Sequence, residues 1–234
     1  MTGARTALGG PRNDLMLAHR GTAYFLRVLA QLPERAYDEP GHPAAPHDRR
    51  TTIATVGCDA RGWATLVEAV REKRREAITF AVGEREAAIS SGATLPPRAL
   101  RHLVEHTAVH LAVEWRDLPA ANWSGEGVDD EGAPLPISRT PWLRARQTWL
   151  AAVDLGSGGT FGDFPPALID RLVAEQSASI NRRGDDHQVE WRGATLSGSP
   201  ASIVRRMLRG SSRHQDKPTT SPVGAHLSSV EEPS

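Results

Sequence analysis

The sequence predicts a mainly α protein, an antiparallel four-helix bundle followed by a small α+β module. Three observations predict it. Four long segments carry apolar residues at helical spacing. Each is bounded by stretches rich in Pro or Gly that cannot continue a helical ladder. Beyond residue 164 the texture changes to one helix, a strand-like alternation and a final helix.

Residues 1–11 are small and bear Gly and Pro, and a frayed, disordered start is expected there. The bundle is expected over residues 12–164. Its first helix, over residues 13–32, places Leu15, Leu17, Ala18, Phe25, Leu26, Val28, Leu29 and Leu32 on one face. Pro33 and the segment DEPGHPAAP end it. A second helix runs from about residue 50 into VREKRRE, with the β-branched run TTIATV weakening its first turn. A short third helix over residues 84–90 is expected to stop at Ser91-Gly92. Pro96-Pro97 opens the next, in which Leu100, Leu103, Val104, Ala108, Leu111, Ala112 and Trp115 recur at helical spacing. NWSGEGVDDEGAPLPISRTP is either a loop or a small hairpin. Pro141 then opens WLRARQTWLAAVDL, which ends before GSGG. Trp115, Trp142 and Trp149 are expected to pack between helices.

Over residues 165–210 the expectation is a helix (PPALIDRLVAEQSASINRR), two short strands around Arg192-Gly193, and a helix (PASIVRRMLRG). A module this small needs the bundle to pack against. Residues 211–234 are polar and rich in Pro and Ser, as disordered tails are.

Composition narrows the function classes. Charged residues are 24% of the chain and the formal net charge is zero, so no basic excess draws in a phosphate backbone, and no nucleic-acid partner is expected. No apolar run approaches the roughly 20 residues of a membrane span, so no membrane partner is expected either. A start without an apolar signal core, together with the single cysteine Cys58, fits a reducing cytoplasm. LGSGG lacks a preceding strand and a following lysine, and reads as a helix stop rather than a phosphate cradle.

Three stretches, GTAYFLRVLAQLPERAYDEP, AISSGATLPPRALRHLVEHTAVHLAVEWRDLPAANW and PWLRARQTWLAAVDLGSGGTFGDFP, resemble the mycothiol-dependent maleylpyruvate isomerase family in order and spacing. The resemblance implies a DinB-like bundle, and a C-terminal module like a shortened form of the family's second domain. It also implies a divalent metal inside the bundle, held by a second-helix histidine and by a Glu-x-x-x-His pair on a later helix. That spacing puts both side chains on one face, one turn apart. In this chain the three positions fall on Thr55, Gln147 and Ala151. Threonine is a weak ligand, glutamine a poor neutral one and alanine none, so no metal is expected.

The remaining candidates are read from the residues themselves. Cys58, three positions beyond Thr55, is either a protein thiol at the former metal position, able to attack or to form a mixed disulfide with mycothiol, or a small buried hydrophobe. Packing is the commoner role for a lone cysteine. Asp59 is either a general base, if buried, or a carboxylate that is solvated or paired with an arginine; the second is expected. Gln147 is read with Cys58 and Asp59 as catalytic, its amide taking over part of the electrostatic work of the metal. Thr55, Trp63, Arg144 and Arg146 are read as substrate-binding. A guanidinium suits a carboxylate, but the two arginines point to different faces, and a rim ion pair with Asp154 or Asp163 is the plainer role. His102, Glu105, His106 and His110 include an H-x-x-E-H string, which is a weak motif for a replacement metal.

Two functions follow as expectations. The first is an enzyme acting without metal on a small unsaturated or carboxylate-bearing metabolite by isomerisation, cyclisation or thiol addition, with mycothiol as a candidate cosubstrate. The second is a non-catalytic small-molecule-binding or regulatory relative.

Overall fold

The computed structural model describes residues 11–43, 45–74, 80, 83–182, 188–191 and 194–197, with side chains as far as residue 175. The chain is mainly α, as the sequence predicts. Helix α1 (Arg12–Gln31) buries Leu17, Ala18, Tyr24, Phe25, Val28 and Leu29 along one stripe. Helix α2 (Arg49–Arg71) begins at Asp48, whose carboxylate accepts the Thr51 amide at 2.7 Å. That cap satisfies an orphan donor and lets the β-branched run start a helix.

Helix α3 (Glu84–Ala93) runs past the expected stop at Ser91-Gly92. There Gly92 is packed: an added Cβ would lie 3.2 Å from the Ala54 Cβ and 3.6 Å from the Cys58 sulfur. The glycine serves close approach to α2 and does not terminate α3. Helix α4 (Pro97–Asp117) has its proline at the first turn. The segment left open between loop and hairpin is a hairpin. Strands β1 (Glu126–Val128) and β2 (Pro134–Pro136) pair antiparallel with Gly127 opposite Leu135. Its turn is held by Asp129 Oδ1, which accepts from the amides of Glu131 and Ala133. Helix α5 (Thr140–Asp154) follows.

The four long helices close into a bundle: α1 packs on α5 and α4, and α2 packs on the same two, with α3 laid against α2. Two glycines within the long helices permit close approach between them. A Cβ on Gly21 would fall 2.5 Å from Thr148 Oγ1, and one on Gly57 would fall 2.8 Å from the Leu103 Cγ. Trp115, Trp142 and Trp149 are buried. Trp149 donates its indole N–H to the Leu17 carbonyl at 3.1 Å and Trp115 to Thr140 Oγ1 at 3.0 Å, so neither buried donor is orphaned.

Helix α6 (Pro166–Arg182) adds Leu168 and Leu172 to the core of the bundle. Arg171 clamps it there, pairing with Asp14 and stacking its guanidinium 4.0 Å from the Trp142 ring centre. Strands β3 (Gln188–Trp191) and β4 (Ala194–Ser197) form the expected second hairpin, with Val189 opposite Leu196. The Arg192-Gly193 turn, the final helix and both expected disordered termini fall on residues 192–193, 1–10 and 198–234, outside the described residues.

Candidate functional site

A pocket of about 340 Å³ opens between α2 and α5. Helix geometry decides which side chains reach it. At about 100° per residue, Asp59 and Trp63 lie within about 80° of Thr55 on one side. All three line the pocket, with Thr52 and Val56. On α5, Gln147, Ala151 and Asp154 fall within about 60° of one another and form a stripe two turns long, flanked by Leu143 and Leu150. Arg146 lines the same wall, Arg85 enters from α3, and Pro46 and His47 close it from the loop before α2.

The polar groups form one continuous chain. Arg85 grips Asp59 with a fork, Nε to Oδ1 at 2.7 Å and Nη2 to Oδ2 at 2.8 Å. Asp59 Oδ2 also accepts the Gln147 side-chain amide at 2.7 Å. The Gln147 carbonyl in turn accepts from Arg144 Nη1 at 3.2 Å. Arg144 is 1% exposed, and it donates further to the Val56 carbonyl at 2.7 Å and to Thr22 Oγ1 at 3.3 Å. Its Nη2 is buried and finds no acceptor among the described residues.

Burial sets the electrostatics. It pushes the Asp59 carboxyl above the ordinary carboxylate value, and the Arg85 fork opposes that shift. It brings the Arg144 guanidinium down to about 10, which leaves it charged at neutral pH. Asp154 differs from Asp59. Burial alone raises it to about 6, and its carboxylate has no hydrogen bond or ion pair among the described residues.

Of the residues singled out in the sequence, Thr55, Asp59, Trp63, Arg146 and Gln147 line the pocket; Cys58 and Arg144 do not. Cys58 falls about 60° to the other side of Thr55, which turns its sulfur from α5 to α3, 3.5 Å from the Ala88 carbonyl. Burial raises its thiol pKa, the reverse of what an attacking thiolate needs. Asp59 is paired with an arginine, the plainer of its two readings. The ion pairs expected of Asp154 and Asp163 are absent: Arg146 reaches Glu175 at 3.7 Å, and Asp163 accepts from the Tyr24 hydroxyl at 2.7 Å. His102 and His106 stand exposed on α4 with ring centres 6.0 Å apart, and His110 lies 3.6 Å from Glu114. Among the described residues no three His, Cys, Asp or Glu side chains gather as a metal site, on α4 or elsewhere.

Arg85 and Asp154 were not assigned to the pocket from the sequence. Arg85 comes from a separate helix, and no spacing in the chain ties it to Asp59. Asp154 did carry a signal, since it follows Gln147 by two helical turns and shares its stripe.

The helix order, with a pocket opening between α2 and α5, is that of a DinB-like bundle. The chain belongs to the family described as the mycothiol maleylpyruvate isomerase N-terminal domain, whose model matches residues 18–156. Two crystal structures titled mycothiol-dependent maleylpyruvate isomerase, one of them a point mutant, are similar to it. Each is 30% identical, with a TM-score of 0.72 over 84% of this chain and 88% of the other. No curated protein matches. Among the described residues no helix is long and apolar enough to cross a membrane.

The three positions that the family resemblance assigns to metal ligands all border this pocket, but the groups standing there are spent or inert. Thr55 donates its hydroxyl to the Thr51 carbonyl at 2.7 Å, both ends of the Gln147 amide are bonded, and Ala151 has no donor atom. Of the two carboxylates that line the pocket, Asp59 is held by Arg85 and Asp154 stands alone, a single anionic donor. This donor set does not fit a divalent ion.

Proposed function

We propose that the chain is a maleylpyruvate isomerase-like enzyme that has lost the metal site of its family and acts without it on a small unsaturated or carboxylate-bearing metabolite. The reaction class is isomerisation, cyclisation or thiol addition, in specialised metabolism, and the setting is the cytoplasm. One observation carries the reading. Thr55, Gln147 and Ala151 meet at a pocket with an apolar wall and charged groups, and the hydrogen-bonded chain Arg85–Asp59–Gln147–Arg144 runs beside them. Arg85 is the cation of this hydrogen-bonded chain that lines the pocket, held in place by Asp59, and a pre-oriented cation or dipole stabilises developing negative charge without reorganising, which is the work a Lewis acid would otherwise do.

Arg146 is the group placed to meet a carboxylate. Its side chain is 39% exposed and its contact to Glu175 is long at 3.7 Å, so a ligand can take it over at small cost. Mycothiol, named for the similar solved enzymes, is the candidate thiol cosubstrate. A second reading, a non-catalytic binding or regulatory relative, draws on a different observation: Gln147 and Asp59 are both tied by hydrogen bonds, which leaves few pocket groups free to move a proton.

Metal analysis of the purified chain, with thermal-shift titrations of mycothiol and unsaturated oxo-acids, tests the proposal. We expect no stoichiometric zinc and stabilisation by at least one of these ligands through mass action. Stoichiometric zinc would sink it. Ligand stabilisation with no turnover of any bound oxo-acid would move the chain to the second reading.

A further inference from the structure

The charges lining the pocket do not balance within the fold. Arg85 is neutralised by Asp59 and lies 3.7 Å from Asp130, and Arg146 is met by Glu175. His47 stands exposed at the loop side. Asp154 alone has no counter-charge among the described residues. Its position compounds the imbalance. It is the last residue of α5, where that helix's own last turn carries no basic residue, and the buried Arg49 of α2 is committed to the Leu155 and Gly156 carbonyls just beyond it. The fold gains nothing from a charge placed there, partly buried in a pocket that is also lined by Leu143, Leu150 and Ala151.

We infer that Asp154 makes this pocket a binding site for a small organic cation, a protonated amine carried on an apolar body. The carboxylate attracts the ammonium group, and Leu150 and Trp63, which line the same pocket, take the apolar part. With Asp59 held by Arg85, Asp154 is the one unpaired carboxylate of the pocket among the described residues, a poor ligand set for a divalent metal but a sufficient partner for an ammonium. This inference rests on the metal-free reading of the pocket and sharpens its substrate class: a substrate that also bears a carboxylate can use Arg146, two turns earlier on the same helix.

Two probes of equal apolar body and opposite charge, benzylammonium and benzoate, test it on the full chain at neutral pH by calorimetry or ligand-observed NMR. Benzylammonium is expected to bind at least about tenfold more tightly than benzoate. Asp154→Asn, which keeps the shape of the side chain, is expected to abolish the preference, and Asp154→Ser serves as a second variant if the first folds poorly. Equal or tighter binding of benzoate, binding of neither probe, or a preference that survives both substitutions would overturn the assignment. The zinc content of the same sample reports separately on the metal-free reading, so failure of one is not mistaken for failure of the other.

Discussion

The Gln147 side-chain amide sits 2.7 Å from Asp59 Oδ2 and spans the gap between α5 and α2, joining a buried carboxylate to a buried guanidinium. It thereby links an anion that Arg85 alone does not saturate to a cation whose Nη2 already lacks an acceptor. Gln147→Leu keeps the volume and removes both bonds. We expect a loss of roughly 2–3 kcal/mol in unfolding free energy, the cost of leaving two charged groups each short of a partner. Urea denaturation measures it, and an unchanged midpoint would show that the link carries no stability.

Arg85→Ala removes the only cation in hydrogen-bond contact with Asp59 among the described residues. Burial then acts on the carboxyl unopposed and raises its pKa further. A carboxyl whose folded pKa is raised binds more protons folded than unfolded, so its stability falls as pH rises through that value. Because Arg85 is one-third exposed, the expected cost at neutral pH is about 2 kcal/mol rather than the full penalty of a buried pair. The defect should shrink on acidification, and adding Asp59→Asn should rescue most of it. A loss independent of pH would mean that the fork matters for packing alone.

Legibility in the sequence followed physical range. Helical periodicity and proline boundaries are local, and they located α1, α2, α4 and α5 to within a residue or two at most ends. Ser91-Gly92 misled because a glycine can serve close packing as well as a helix stop, and only the neighbouring Ala54 distinguishes the two. For the site, the family resemblance placed Thr55, Gln147 and Ala151, and spacing along α2 added Trp63 to the Thr55 face. A pairing between helices was not readable, and Arg85 is the case in point. Cys58 shows the limit of reasoning by turns, since about 60° around a helix separates facing a pocket from facing another helix.

Cys58 is buried, and its thiol pKa is raised by that burial. The thiolate is the reactive form, so attack on an aromatic disulfide reagent should be slow in the folded protein and speed up by more than about tenfold on unfolding. Rapid labelling of the native chain would place the sulfur in an accessible setting and revive it as a nucleophile. Cys58→Ala should leave ligand binding unchanged.

Asp154 gives the stability of the protein a pH dependence of definite sign. Its folded value of about 6 exceeds the ordinary 3.8. Between those two values the folded state holds the proton more tightly, and stability declines as pH rises through that window. Above it the carboxylate is charged and unpaired, and the penalty is constant. Asp154→Asn should therefore be more stable than the natural sequence at neutral pH, by on the order of 1–2 kcal/mol, with the gap closing towards about pH 4. Thermal unfolding across this range measures the gap, and a variant less stable at every pH would show that the carboxylate has a partner in the fold.

The convergence of Thr55, Gln147 and Ala151 on one pocket makes a stronger demand. If these are the positions at which relatives hold a metal, then Thr55→His, Gln147→Glu and Ala151→His together should recreate a three-ligand site. The last two stand one turn apart on α5, and the first faces them from α2. Without an ion the triple variant should be less stable than the natural chain, because Gln147→Glu sets a second carboxylate beside Asp59 and deletes the amide that now joins them. Zinc should repay that deficit, since its charge offsets both carboxylates and its ligands bridge the same two helices. The measurable outcome is about one zinc retained per chain after exhaustive dialysis, with a rise in melting temperature that chelator reverses. A well-folded triple variant that binds no zinc would mean that α2 and α5 are aligned one turn away from the ancestral site.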